Sequence, residues 1–204
     1  MDKGRLEAFS DAVIAIVMTV MVLEFQVPDE TDWEALRPLV PVFLTYVLSF
    51  VYLGIYWNNH HHLIKAAGRI TGGVLWANLH LLFWLSLFPF ATGWMGEHDF
   101  AEVPTAVYGV VLLLAALSYY LLQTTIVAAQ TEPTLNDALG RDVKGKLSPV
   151  IYAIGIALAF VSPWVSVALY AAVAMMWLVP DRRLEPLIDT RRGDRKMGSP
   201  TPES

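Results

Sequence analysis

Long, mostly uncharged apolar blocks dominate this chain, and they restrict it to the membrane. Each block approaches the roughly 20 residues that an α-helix needs to cross the hydrocarbon core. Hydrophobic residues make up 55% of the sequence and charged residues only 16%, whereas a soluble domain averages about 25% charged residues. The polar segments between the blocks are too short to build a second core. We therefore predict an all-α integral membrane protein.

The apolar blocks predict six transmembrane helices. They are residues 6–27, 39–62, 70–94, 104–128, 147–163 and 164–180. The last two are short and are separated by Ser162-Pro163-Trp164, which indicates a tight helical hairpin. Residues 1–180 thus form one predicted transmembrane domain, and residues 181–204 a polar, partly disordered cytoplasmic tail.

The charges between the spans predict the orientation of the chain. With the N-terminus in the cytoplasm, all of the 14 Lys and Arg residues except Arg37 fall in cytoplasmic segments. The predicted external loops carry the acidic residues Asp29, Glu30, Asp32, Glu34, Glu97, Asp99 and Glu102. The positive-inside rule is satisfied at every loop only by an even number of spans with both termini in the cytoplasm.

Several classes of function lack their sequence signals. The chain has no cysteine, which excludes thiol catalysis and Cys-ligated metals. It has no phosphate-binding glycine loop, dinucleotide fingerprint or nucleophile elbow, and topology accounts for its basic loops without nucleic acid. The Thr-Val-Gly-Tyr-Gly potassium filter and the arginine ladder of a voltage sensor are also missing. We expect no cofactor.

Polar residues gather at the cytoplasmic end of the first span. Ionisable groups at membrane depth are costly, and they usually face a partner or a water-filled path. Asp11 is the deepest of these groups. Its predicted partners are Arg5, the hydroxyl of Ser10 or a histidine of another span; a plain helix-end charge at the headgroup level is the alternative.

One face of the first span combines aliphatic side chains with a single hydroxyl. On a helical wheel, Ala12, Ile16, Thr19, Leu23 and Gln26 fall within one arc of about 80°. Arranged about a symmetry axis, such a face forms a hydrophobic constriction that gates by dewetting. Ordinary helix packing, in which small hydroxyl residues are common, is the alternative.

The second and third spans carry the remaining polar candidates. His60, His61 and His62 point about 100° apart on a helix, so they cannot all ligate one metal ion. Asn78 and His80 are predicted to form hydrogen bonds between helices. In the third span, Pro89 predicts a kink.

Two rival functions use these groups. A secondary transporter of a cation or small polar solute would employ Asp11, Asn78 and His80 as relay groups. A membrane enzyme would employ His60, His61 and Asp11.

Two motifs resemble signatures of the transmembrane protein 175 (endosomal/lysosomal potassium channel) family in its prokaryotic single-repeat form. They are Arg5-x-x-x-Phe9-Ser10-Asp11, followed by an aliphatic helix and Pro28, and Trp57-x-x-His60-His61. The resemblance covers residues 1–180 and agrees with six helices and cytoplasmic termini.

The resemblance implies a leak-like, potassium-selective channel of the cell membrane. Its subunits would form a homotetramer, in which the first helix of each lines a pore on the symmetry axis. The implied lining residues are Ile16, Thr19 and Leu23, which the wheel also groups. The implied network that anchors this helix comprises Arg5, Phe9, Ser10, Asp11, His60 and His61. Glu24 would attract cations to the outer mouth, and transient potassium is the only metal expected.

Overall fold

The computed structural model describes residues 2–129 and 143–178, and every regular element within them is helical. Helix α1 covers Lys3–Val20, and a 3₁₀ turn extends it over Met21–Glu24. A second 3₁₀ segment, Glu34–Leu39, leads into α2, Val40–Ala66. The other helices are α3 Gly72–Ser86, α4 Phe88–Glu97, α5 Glu102–Ala128, α6 Val143–Leu158 and α7 Pro163–Leu178.

Four helical segments are long and apolar enough to cross a membrane. They are Lys3–Glu24, Glu34–Ala66, Gly72–Glu97 and Glu102–Ala128. Helices α6 and α7 have 16 residues each and pack against each other, so the hairpin predicted around Pro163 is present. All six predicted segments are therefore helical, which confirms an all-α membrane protein. The predicted tail, 181–204, lies outside the described residues.

The first span ends earlier than predicted. Its helical hydrogen bonding stops at Glu24, and Phe25 is extended. The ring of Phe25 packs edge-on against Tyr46 of α2, with the ring centres 5.3 Å apart. Gln26 therefore does not belong to the helical arc, and Pro28 lies beyond the helical end rather than causing it.

The third span is interrupted between α3 and α4. The break falls at Leu87, and Pro89 occupies the first turn of α4. A proline in the middle of a helix removes one hydrogen bond and clashes with the preceding turn, whereas the first turn tolerates it. Instead of the predicted kink at Pro89, one helix ends and a new helix begins just before the proline.

Buried tyrosines hold the inner helices together. The Tyr52 hydroxyl donates to the Tyr170 carbonyl at 2.5 Å, and the Tyr152 hydroxyl donates to that of Tyr52 at 3.2 Å. Tyr108 shares a hydrogen bond of 2.9 Å with Ser49. These pairings give each buried hydroxyl group a hydrogen-bond partner, which lipid and apolar side chains cannot provide. They join α2, α5, α6 and α7 and leave α1 at the side of the bundle.

Candidate functional site

Helix α1 packs against the bundle through one face only. Its buried side chains, together with that of the following turn, recur every three or four residues. They are Leu6, Ser10, Ile14, Val17 and Met21. This spacing marks one side of an α-helix, and α2, α3 and α4 cover that side. Within residues 2–129 and 143–178, no helix covers the opposite side of α1.

A chain of three buried polar groups fastens α1 to α3 and α2. The amide Nδ2 of Asn78 donates to Ser10 Oγ at 3.0 Å, and Asn78 Oδ1 lies 2.7 Å from His60 Nε2. All three side chains are fully buried. Interhelical hydrogen bonds of this kind are a main source of helix association where lipid surrounds the protein.

The donor and the acceptor of each hydrogen bond in this series of polar groups follow from the backbone carbonyl at its end. Ser10 Oγ donates to the Leu6 carbonyl at 2.9 Å, and a carbonyl can only accept. The Ser10 oxygen is then free to accept from Asn78, whose Oδ1 must face His60. An amide oxygen accepts only, so His60 carries its proton on Nε2.

A second polar group lies beside this chain at the same end of α1. Glu7 Oε1 is 2.8 Å from His61 Nδ1, and Trp57 Nε1 donates to Asp11 Oδ1 at 3.0 Å. The Trp57 ring stacks on that of His61, with the centres 6.3 Å apart and the planes at 29°. Ligand atoms of Glu7, Asp11 and His61 all lie within 4.8 Å of one another.

The structure brings four of the six predicted anchoring residues against α2 and α3, in two separate groups. Ser10 and His60 belong to the buried chain, whereas Asp11 and His61 belong to the partly exposed group. Of the predicted partners of Asp11, only a histidine lies near it. The three adjacent histidines diverge as expected, since His60 faces α3 and His61 faces α1.

Arg5 and Phe9 are not part of either group within one subunit. Arg5 is exposed, and it forms no ion pair within residues 2–129 and 143–178. Six residues separate Arg5 from Asp11, which places them about 120° apart on a helix. The predicted pairing of Arg5 with Asp11 is therefore wrong for the single chain. Phe9 is 48% exposed.

The predicted pore residues lie on the uncovered side of α1. Ile16 is 60% exposed and Leu23 is 76% exposed, so neither belongs to the core of the chain. The Thr19 hydroxyl donates to its own helix, at 3.1 Å from the Ala15 carbonyl and 2.9 Å from that of Ile16. Its oxygen lone pairs are left for an outside partner.

The exposed stripe extends along α1 and into the 3₁₀ turn that follows it. We use this name for Arg5, Phe9, Ala12, Ile16, Thr19 and Leu23, which are all exposed. Successive members are four, three, four, three and four residues apart, an average of 3.6 residues. That period equals one turn of an α-helix, so the stripe stays on one side of the helix.

Glu24 lies against α4 at the far end of this segment. A Cβ atom added to Gly93 would stand 2.7 Å from Glu24 Oε2, so the carboxylate rests on the glycine backbone. Only a residue without a side chain leaves room for this contact. The predicted role of Glu24 at an outer mouth stays a prediction, but the structure shows which helix supports it.

Three residues behave differently from the sequence expectations. His80 is exposed and accepts a hydrogen bond from Trp84 of its own helix at 3.2 Å, so its predicted bond to another helix is wrong. Glu7 and the indole of Trp57 were not predicted to contact the Asp11 group. The signal for Glu7 was its position four residues before Asp11, which places both carboxylates on one side of α1.

A cavity of about 40 Å³ lies away from these groups, between α2, α5, α6 and α7. Tyr52, Tyr56, Tyr152 and Trp177 are among its lining residues, and α1 contributes none. A space of this size has room for water. It is not a conduction path lined by the first helix.

Comparison with known proteins identifies the family. The family described as endosomal/lysosomal potassium channel TMEM175 matches residues 5–89, which include both motifs. A potassium channel from Chryseobacterium sp. (strain P1-3) is 48% identical over 91% of this chain and 97% of that protein. The endosomal/lysosomal proton channel TMEM175 of Mus musculus is 31% identical over 68% of this chain and 31% of that protein.

A solved structure agrees with this assignment. The crystal structure of a lysosomal potassium-selective channel TMEM175 homolog from Chamaesiphon minutus matches with a TM-score of 0.76 and 30% identity. The match covers 87% of this chain and 96% of that one. Sequence and fold therefore agree over nearly the whole length, and the chain belongs to the TMEM175 potassium channel family.

Proposed function

We propose that the chain is one subunit of a leak-like, potassium-selective cation channel in a prokaryotic plasma membrane. Four copies assemble around an axis, with both termini in the cytoplasm and the first helix of each copy lining the pore. One observation carries the proposal: the stripe with Ile16, Thr19 and Leu23 is exposed in the isolated subunit. An enzyme is not expected, because the family is one of channels.

The pattern of the stripe favours a shared axis over contact with lipid. Lipid chains need neither a regular repeat nor a hydroxyl, and any apolar surface satisfies them. The spacing of three and four residues puts Ile16, Thr19 and Leu23 on one side of the helix, where all three can face a shared axis. A single subunit cannot surround a pore with its own α1, so conduction requires several copies.

The side chains of the stripe suggest how ions are selected. Rings of Ile16 and Leu23 form an apolar constriction, and an ion loses part of its hydration shell to pass it. Potassium gives up water more easily than sodium, so a narrow apolar ring favours potassium without coordinating it. Thr19 lies between the two rings, and its outward lone pairs replace part of the lost shell. Because nothing holds the dehydrated ion strongly, selectivity is weaker than that of a carbonyl filter.

The rival transporter has little support in the geometry. Its three relay groups have separate partners: Asp11 accepts from Trp57, Asn78 joins Ser10 to His60, and His80 bonds within its own helix. The Mus musculus relative is named a proton channel, which makes protons the second ion to test. Unitary currents separate a channel from a transporter, and ion substitution separates potassium from protons.

The deciding experiment measures permeation through the purified protein in planar bilayers. The mass of the solubilised complex is determined first and should correspond to four chains. Reversal potentials under opposed potassium and sodium gradients then give the permeability ratio. Ile16→Ala and Leu23→Ala each widen a ring, so we expect the preference for potassium over sodium to fall in both variants.

Val22→Ala is the matched control for these variants. Val22 is 50% exposed but lies about 120° from Ile16 on the wheel, so it does not face the same axis. We expect its permeability ratio to equal that of the unmodified protein. An unchanged ratio in both Ile16→Ala and Leu23→Ala would refute the constriction, and a monomeric complex would refute the shared pore.

A further inference from the structure

Three potential metal ligands from two helices lie close together at the N-terminal end of α1. Glu7 and Asp11 lie one turn apart on α1, and His61 reaches them from the last turns of α2. Their donor atoms lie within 4.8 Å of one another. The side chains of Glu7 and His61 are 21% and 29% exposed, so the group is sheltered but reachable from water.

The contact between Glu7 and His61 is short but is not a hydrogen bond. Oε1 and Nδ1 are 2.8 Å apart, yet Nδ1 is shielded from solvent and has no hydrogen-bond partner within the described residues. The ring N–H direction therefore misses the carboxylate oxygen. Nδ1 of a neutral His61 therefore keeps a lone pair that is not used in a hydrogen bond within the described residues.

Trp57 orients two of the three donors. Its indole donates to Asp11 Oδ1 at 3.0 Å, and its ring stacks on His61. Metal ligands are commonly held this way by neighbouring hydrogen-bond donors, which fix their direction before the ion arrives. Asp11 keeps its other carboxylate oxygen available.

We propose that Glu7, Asp11 and His61 bind a divalent transition-metal ion such as Zn²⁺, which clamps α1 to α2. One imidazole with two carboxylates suits zinc, and it leaves the fourth tetrahedral position to water. With metal–ligand distances of about 2.0–2.1 Å, tetrahedral donors stand about 3.3 Å apart. Small side-chain rotations bring atoms now within 4.8 Å to that spacing. An imidazole ligand also distinguishes this site from one for potassium, which prefers oxygen.

The site is independent of the exposed stripe. Glu7 and Asp11 face α2, whereas Ile16 and Thr19 face away from the bundle. Metal binding therefore does not rest on the proposed channel function, although an effect of the metal on current would. The ion would hold the base of α1 in place by joining it to the neighbouring helix.

The test is calorimetric titration of ZnCl₂ into the full-length protein in detergent, after removal of any affinity tag. Tryptophan fluorescence is followed in parallel, because a metal on Asp11 changes the surroundings of Trp57. We expect saturable binding of one ion per chain and a higher melting temperature with zinc. His61→Gln should weaken zinc binding at least about tenfold, because replacing even a residue that only orients a metal ligand typically costs that much affinity.

Asp11→Asn and Glu7→Gln should also weaken zinc binding, and they decide the matter if His61→Gln fails to fold. His98→Gln and His80→Gln are the controls: His98 lies beyond α4, His80 bonds to Trp84 on α3, and neither belongs to the cluster. Both should bind as the unmodified protein does. Absence of saturable binding, or an equal loss in His80→Gln, overturns the site. Neither result would change the permeability ratios measured in the channel experiment, so the metal site and the channel function are tested separately.

Discussion

The buried chain from His60 through Asn78 to Ser10 leads to a quantitative prediction. Replacing Asn78 by Ala removes both of its hydrogen bonds, at 2.7 and 3.0 Å. It also leaves the Nε2–H of His60 buried without a partner. Each lost bond is worth about 1 kcal/mol, so the variant should lose about 2 kcal/mol of unfolding free energy before any cavity is counted.

A double-mutant cycle isolates the bond between His60 and Asn78. The cycle uses His60→Ala, Asn78→Ala and the double variant, so the cavity that each substitution creates largely cancels. Interhelical hydrogen bonds in membrane proteins couple by about 0.6 kcal/mol on average and up to about 1.7 kcal/mol. The bond here is short and fully buried, so we expect a coupling of about 1–1.7 kcal/mol, near the upper end of that range.

The assay is reversible unfolding in mixed detergent micelles, followed by circular dichroism. His80 provides the control, because it lies on α3 near Asn78 in sequence but is exposed and bonds to Trp84. The cycle of His60→Ala with His80→Ala should show additive effects, within about 0.3–0.5 kcal/mol. A coupling this small for His60 and Asn78 would show that the bond does not fasten the helices.

Two further predictions concern packing and permeation. A Cβ on Gly96 would stand 2.7 Å from the Val42 Cα atom, so Gly96→Ala should destabilise the fold by about 1–3 kcal/mol in the same unfolding assay. Gly54→Ala, with nothing within 4 Å of its Cβ, should be neutral or stabilising. Thr19→Val removes the hydroxyl and keeps the shape, so single-channel potassium conductance should fall. Thr124→Val should leave conductance unchanged, because Thr124 makes the same helix-internal bonds on α5; equal conductance in Thr19→Val would contradict the role of the hydroxyl.

The six helical segments followed from the sequence because membrane burial demands a property that composition displays directly. Long apolar blocks cannot satisfy their backbone groups in lipid except as helices, and the proline at 89 marked the one break. The ends were harder. The first span stops at Glu24 because Phe25 turns to pack on Tyr46, a contact between helices that the local pattern does not record.

The two sides of α1 could be separated only by their few polar residues. Ile14 is buried and Ile16 is 60% exposed, although both are isoleucines in one apolar helix. Hydropathy does not distinguish them, because lipid and protein interior are similarly apolar. Thr19 marked the exposed face in the sequence, whereas the burial of Ser10 on the opposite face became clear only from the structure.

Pairing between side chains was the least predictable feature. Arg5 and Asp11 carry opposite charges close together in the sequence, yet the turn of the helix separates them by about 120°. Asn78 and His60 need hydrogen-bond partners in an apolar environment, but the identity of those partners depends on the axial position of α3 relative to α2. That register is decided by the packing of many apolar contacts, which no single motif encodes.

The division of α1 into two faces separates stability from permeation. Its buried face carries Ser10 and the polar chain, so substitutions there change the free energy of unfolding and leave the stripe in place. Its exposed face contributes little to the fold of one subunit, because Ile16 and Leu23 contact mainly what lies outside it. A lipid-facing stripe would tolerate alanine in both assays. If the stripe lines a pore, alanine substitutions should leave the unfolding free energy nearly unchanged but lower the preference for potassium over sodium. This contrast between the two measurements distinguishes the proposed channel from a lipid-facing surface.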